Sequence, residues 1–280
     1  MSNLVTRTIS GAVFVSIVVA SILLHPIAFG VVFFLICGMT LWEFYSIVDN
    51  NKYNQRWGTV SGMILFITCF LWGYMQLNYG LLWVYAIYII CALISELFRK
   101  QPDPIHNWAY LLLGQVMVAI PMSSLCYIMF CGDSPTESVF ATPQTLILLS
   151  LFVIIWTNDT GAYCVGSLLG KHKMFPRVSP GKSWEGLVGG FVFALVAGWI
   201  FSMFVSLSPD RTTNIVLWLG YAALVSVFGT LGDLMESLTK RTLGIKDSGN
   251  IIPGHGGMLD RFDSMLLAAP VIAMYLMFIF

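Results

Sequence analysis

Nine apolar stretches follow one another along the chain, at 9–24, 27–48, 60–76, 81–98, 108–130, 144–169, 186–207, 215–234 and 263–280. An α-helix needs about 20 predominantly apolar residues to cross a lipid hydrocarbon core of ~30 Å. Within that core every backbone N–H and C=O must be satisfied internally, and continuous apolar runs achieve this as helices. The expected fold is therefore all-α: a polytopic integral membrane protein of about nine transmembrane helices. Composition agrees, since 58% of the residues are hydrophobic and only 10% are charged, against about 25% charged in a soluble domain. The first run follows Arg7 as the apolar core of a signal peptide would, but no small-x-small cleavage site follows it. It is read as a first membrane helix, joined to the second by a tight His25-Pro26 hairpin.

The formal net charge is zero, which gives no electrostatic case for a nucleic-acid partner. The distribution of the charge is more informative. Arginine and lysine gather in alternate connections, and only Arg211 falls on the opposite side. By the positive-inside rule the N-terminus and both large polar loops are cytoplasmic. Cys37, Cys69, Cys91, Cys126, Cys131 and Cys164 show no CxxC spacing, so they read as small buried hydrophobes rather than a disulfide or zinc framework. The chain divides into N-terminal helices over 1–130 and a C-terminal catalytic region over 131–280. The latter carries two polar loops, 170–186 and 236–263. Compact size and the absence of organelle-targeting features point to a bacterial inner membrane.

The polar loops and their flanks hold the candidate chemistry. Asp159 lies inside an apolar run, and an acid at membrane depth is by default a functional group facing a cavity. Gly181-Lys182-Ser183 precedes a helix and offers N–H groups and an ammonium to phosphate oxygens. It is not a P-loop, because Pro176 stands where the first glycine belongs and no strand is expected before it. Asp233 and Glu236 are three residues apart, as are Asp260 and Asp263, so each pair shares a helical face. Capping a helix N-terminus accounts for one acid of the second pair, but not for Asp233 or the His255-Gly256-Gly257 turn. Oxygen-only ligands beside phosphate-binding bases suit a hard cation such as Mg²⁺. Gly254, Gly256 and Gly257 are expected to let the backbone approach an anion, and His255 is a candidate ligand, phosphate donor or loop organiser. Glu43 and Glu96 read as interfacial or inter-helix partners.

At these residues the chain resembles the phosphatidate cytidylyltransferase (CDP-diacylglycerol synthase) family. Its signature appears here as Ser237, Lys240-Arg241, Lys246-Asp247, Gly249, Ile252-Pro253, His255-Gly256-Gly257, Asp260-Arg261 and Asp263. Thr239 departs, standing where that family usually has an apolar residue. Upstream, Asp159, Ala162-Tyr163, Gly166, Gly170-Lys171, Ser179-Pro180, Lys182-Ser183 and Glu185-Gly186 are similar too. The resemblance covers the C-terminal half. It implies transfer of CMP from CTP to phosphatidic acid, giving CDP-diacylglycerol and pyrophosphate for phospholipid synthesis. It also implies Mg²⁺ on Asp233, Asp260 and Asp263, accompanied by K⁺. Lys240 and Arg261 join these acids as expected catalytic residues. Lys182, Ser183, Arg241, Lys246, His255, Gly256, Gly257 and Asp159 are expected to bind substrate. Membrane lipids are expected partners, and a homodimer is the assembly to be tested.

The chemistry fits the residues on its own terms. A phosphate monoester has a second pKa of about 6, so the lipid nucleophile is ionised at neutral pH and needs no general base. The difficulty is bringing two polyanions together, which calls for cations and ammonium or guanidinium donors. Two other readings stand beside this one. A CTP-dependent kinase or cytidylyltransferase acting on an isoprenoid lipid would share the nucleotide chemistry. An ion-coupled transporter would instead place Asp159, Asp233 and Asp263 along a pathway, although no internal repeat of the kind common in transporters is visible.

Overall fold

The computed structural model describes residues 3–49, 51–100, 102–131, 142–249, 251 and 256–280. Helices α1 (Asn3–Leu24), α2 (Pro26–Val48), α3 (Lys52–Met75) and α4 (Leu82–Arg99) come first, with a 3₁₀ turn at Tyr79–Leu81 before α4. Then α5 (Pro104–Gly114) runs through a π-helical stretch, Gln115–Ala119, into α6 (Ile120–Phe130). Next are α7 (Pro143–Leu169), a hairpin of β1 (Lys173–Phe175) and β2 (Ser179–Ser183), α8 (Trp184–Phe201), α9 (Arg211–Thr242) and α10 (Leu259–Met277).

Every expected span is helical over most of its length, although α8 ends at Phe201, before the expected 207. Among the described residues seven helical segments are long and apolar enough to cross a membrane, namely Pro26–Val48, Lys52–Met75, Tyr79–Arg99, Pro104–Phe130, Pro143–Leu169, Trp184–Phe201 and Arg211–Thr242. The remaining two of the nine expected are α1, whose apolar part is the shorter Thr8–Leu24, and α10, whose first turns carry Asp260, Arg261 and Asp263. The fold is that of an all-α polytopic membrane protein, and outward-facing apolar side chains such as Trp83 and Phe98, 70% and 80% exposed, suit a lipid surround.

Polar residues start these helices where the chain leaves the apolar phase. His25, Asn51, Asp103, Thr142, Ser183 and Asp210 each accept a hydrogen bond from a backbone N–H of the helix that follows, which satisfies one of the orphan donors of the first turn. In α2, α5 and α7 a proline occupies the first position, where its missing N–H is no loss. The N–H and hydroxyl of Thr213, both 2.7 Å from Asp210, hold that carboxyl below its usual pKa.

The chain packs as two compact units, each described by itself: Met1–Phe140 with Asp247–Arg261, and Ala141–Lys246 with Phe262–Phe280. The signature stretch is thus divided, its middle packing with the N-terminal helices. In the first unit Phe29, Phe33, Tyr45, Phe66, Met122 and Leu125 are buried. Here Pro121 interrupts the α5–α6 helical run, and the π stretch just before it absorbs the lost hydrogen bond and the ring clash. Gln115, in that stretch, donates to the Gly58 carbonyl at 2.8 Å and the Tyr45 hydroxyl at 2.9 Å. The Tyr45 hydroxyl donates in turn to the Leu111 carbonyl at 2.6 Å, so a buried amide in an apolar bundle is paired. Glu96 pairs with Arg99 within α4, and it is the Arg99 guanidinium, 3.8 Å from the Tyr53 ring centroid, that reaches the neighbouring helix α3. No disulfide joins the six cysteines, though Cys91 and Cys164 are exposed rather than buried.

In the second unit Trp218 stacks on Phe201 at 5.6 Å and donates to the Val205 carbonyl at 2.9 Å. Asn214 closes the α8–α9 turn through Leu207 N–H and the Ser202 carbonyl. Helix α9 has 32 residues, about 48 Å at 1.5 Å per residue, which exceeds a ~30 Å apolar core. Residues 236–242, expected as the start of a loop, are its last turns.

Candidate functional site

Two groups of polar side chains emerge, one in each unit. The second unit holds the acids. Asp159 lies on α7, Asp233 on α9 and Asp263 on α10. Gly232 lets α9 and α10 approach closely, since a Cβ there would lie 2.6 Å from the Asp263 carbonyl oxygen and 3.1 Å from that of Ser264. The three carboxylates lie within one another's field, with Lys182 acting on Asp159 and Lys240 on Asp263.

The hairpin delivers Lys182. Its ammonium sits 2.6 Å from Asp233 Oδ2, while Asp233 Oδ1 accepts from the Ser237 hydroxyl at 3.2 Å. The local sequence explains the placement. The Trp184 N–H bonds the His172 carbonyl at 3.0 Å, and the His172 ring lies 2.6 Å from Glu185, so the base of the hairpin is fastened to the start of α8. Arg241 donates to the Val178 carbonyl of the hairpin turn and to the Ile245 carbonyl, both at 3.3 Å. Lys240 pairs with Glu236 at 2.5 Å. Below this layer Asn158 accepts from Ser226 at 2.5 Å and its amide faces Asp159 at 3.4 Å.

One expectation is corrected here. No strand was expected before α8, yet Gly181-Lys182-Ser183 lies in β2, so Lys182 is presented by a strand, not by a turn. Ser183, expected to bind substrate, is buried and its hydroxyl accepts the Gly186 N–H at 3.1 Å. Its oxygen caps α8.

The first unit holds the glycine turn. Asp260 Oδ2 accepts the N–H groups of Ser248 at 3.0 Å and Gly257 at 2.9 Å. Glu43, on α2 and only 4% exposed, accepts from the Ser248 hydroxyl at 2.7 Å, the Met258 N–H at 2.6 Å and the Leu259 N–H at 3.1 Å. Gly256 has φ +86°, and a Cβ on Gly257 would collide with Glu43 and the Ser248 hydroxyl. The glycines do bring backbone against anions, as expected, but the anions are the protein's own Asp260 and Glu43. These contacts are to the protein's own carboxylates rather than to a ligand. The turn also gives Asp260 a partner set that metal binding had not anticipated.

Lys246 and Arg261 are exposed. His255 and Gly254 lie outside the described residues. Glu43 is the residue that sequence reasoning undervalued, and its one signal was a carboxylate at the apolar end of a membrane helix.

No group of three or more His, Cys, Asp or Glu converges as a metal-ligand set among the described residues. Mg²⁺ usually takes one or two carboxylates and completes its shell with water and substrate phosphates, so a three-residue set is not required. Among the described residues Asp233 pairs with Lys182 and Glu236 with Lys240, and Asp159 and Asp263 lie in the same field, a gathering of carboxylates that suits a cation. The donors are all oxygens, as a hard cation prefers.

Fold and site together define a polytopic membrane protein that gathers carboxylates and ammonium groups at the ends of its helices, an arrangement suited to phosphate-bearing ligands. The chain belongs to the cytidylyltransferase family, whose model matches residues 5–279. It is similar to proteins named phosphatidate cytidylyltransferase from Staphylococcus haemolyticus (strain JCSC1435), 47% identical over 125 residues, and Staphylococcus aureus (strain COL), 46% identical over 125 residues. In both cases the match covers 45% of this chain and 46% of the relative. The chain thus spans about half the length of the curated relatives it matches.

Proposed function

We propose that this protein transfers CMP from CTP to phosphatidic acid, releasing pyrophosphate. The observation that carries the reading is the Lys182–Asp233 ion pair at 2.6 Å set among the carboxylates of Asp159 and Asp263. A phosphate could displace Asp233 from Lys182, and a divalent cation could take Asp233 in its place. The name borne by the similar staphylococcal proteins, phosphatidate cytidylyltransferase, supports the same reaction.

In this reaction an oxygen of the lipid phosphate monoester bonds to the α-phosphorus of CTP. The bond from that phosphorus to the bridging oxygen breaks, and the electron pair leaves with pyrophosphate. The attacking oxygen is already ionised near neutral pH, so no residue of the site has to remove a proton. Asp233 and Asp263 would hold the Mg²⁺, which when bound screens the phosphates and stabilises charge on the leaving group. Lys182 and Lys240 neutralise and orient phosphate oxygens, and Arg241 holds the hairpin that carries Lys182. Asp260, occupied by backbone amides, organises the glycine turn. CTP arrives from the cytoplasmic side of a bacterial inner membrane, where the basic loops lie.

The test is incorporation of labelled CTP into lipid by purified protein in detergent, given phosphatidic acid and Mg²⁺. Lipid-linked CMP with equimolar pyrophosphate, lost on adding EDTA and in Asp263→Asn, is the expected result. Turnover only on a polyprenyl phosphate would retain the CTP site and replace the lipid. Tight Mg²⁺ binding with no product from any lipid would favour the transporter reading.

A further inference from the structure

A buried carboxylate on α2 serves a part of the chain more than 200 residues away, and nothing in the proposed chemistry uses it. Glu43 faces the Ser248 hydroxyl and the N–H groups of Met258 and Leu259 across sequence separations of 205, 215 and 216 residues. Helix α10 begins at Leu259, so these amides belong to the four orphan donors of a helix N-terminus. A helix ordinarily meets them with its own N-cap side chain. The residue in the cap position here is Met258, which has no acceptor. Glu43 supplies the missing acceptor from another helix, and its negative charge also suits the positive end of the α10 dipole. Side chains at Gly249 or Gly257 would run into the same carboxylate.

We propose that Glu43 is a positioning residue that caps α10 from α2 and thereby fixes the helix start from which Asp260 and Asp263 project. The first of these acids follows the capped amides immediately, and the second lies one helical turn further along. An axial or rotational slip of that turn would move both carboxylates. Misplacement of reacting groups by about 1 Å is enough to lower a rate by about 100-fold. Glu43 touches neither reacting phosphate in this account, so its effect passes through the loop and the helix start.

The closing experiment has two arms. The first, amide hydrogen exchange on the full chain in detergent, does not depend on catalysis. Glu43→Ala and Glu43→Asp are expected to speed exchange across residues 256–262 by at least about tenfold, with α7 and α8 unchanged. Glu43→Gln keeps an acceptor oxygen at the right reach but loses the charge, and should fall between these variants and the wild type. Ser248→Ala, which removes one donor and little volume, should give a smaller change in the same peptides if Glu43→Ala fails to fold.

The second arm rests on the nucleotidyl-transfer reading above. In Glu43→Gln, kcat is expected to fall about 10- to 100-fold while the KM for CTP stays within about threefold. Unchanged exchange at 256–262 in every Glu43 variant would overturn the proposal. So would accelerated exchange spread evenly over all helices, which would make Glu43 an ordinary core residue. A wild-type protein without CMP transfer would defeat the reaction and leave the exchange arm to decide on Glu43.

Discussion

Lys182 and Asp233 face each other at 2.6 Å with both side chains partly exposed, so the pair is accessible to a ligand that competes for either partner. A surface ion pair of this kind adds little to stability, which points to a role in binding. Lys182→Met is therefore expected to lower kcat/KM for CTP about 100-fold, or about 2.7 kcal/mol of transition-state stabilisation, with little change in Tm. Steady-state kinetics beside a thermal melt separates the two effects. Gly257→Ala should behave in the opposite manner. Its methyl group would collide with Glu43 and Ser248, and overpacking typically costs about 1–3 kcal/mol, so a lowered Tm should accompany any loss of activity. Asp159, Asp233 and Asp263 were legible in the sequence because an acid among apolar residues stands out. The partners of Asp260 and Glu43 were not, since hydrogen bonds between residues hundreds of positions apart leave no local pattern.

The helices were legible because hydropathy marks any segment that lies in lipid, and each expected span proved helical over most of its length. Hydropathy is blind once a helix leaves the apolar phase, which is why α9 continues unannounced to Thr242. The hairpin was hidden for a different reason: β1 has three residues and β2 reads Ser-Pro-Gly-Lys-Ser, too short and too polar to alternate. What fixes it lies at its ends, in the Ser183 cap and in the His172–Glu185 contact. The π stretch offers a test of element-level design. Gln115→Leu removes the hydrogen bonds to Gly58 and Tyr45, and such side-chain bonds in membrane proteins average about 0.6 kcal/mol each. A lower Tm with an unchanged KM for CTP is expected; a changed KM with an unaltered melt would contradict the structural role.

At the scale of the whole molecule, the charge pattern of the sequence makes a prediction about sidedness. Asp159 and Asp233 lie in the C-terminal halves of α7 and α9, and Asp263 lies in the first turns of α10. Alternating traverses would bring these three positions to the same membrane face, the face on which every basic residue except Arg211 falls. That coincidence has a physical reason. Under the proposed function CTP, a polyanion that cannot cross lipid, needs a site that opens where the nucleotide is, and the positive-inside rule predicts basic loops on the cytoplasmic side. In a background with the six native cysteines replaced, Arg177→Cys should react with a membrane-impermeant maleimide only in inverted vesicles. Arg211→Cys should react only in right-side-out vesicles. Labelling of both from one side would refute the orientation. Sealed inverted vesicles carrying the wild-type chain should also turn over external CTP, and right-side-out vesicles should not until they are permeabilised. Turnover in sealed right-side-out vesicles but not in inverted ones would mean that the acid cluster opens to the other face, and the charge pattern would then need an explanation unrelated to nucleotide access.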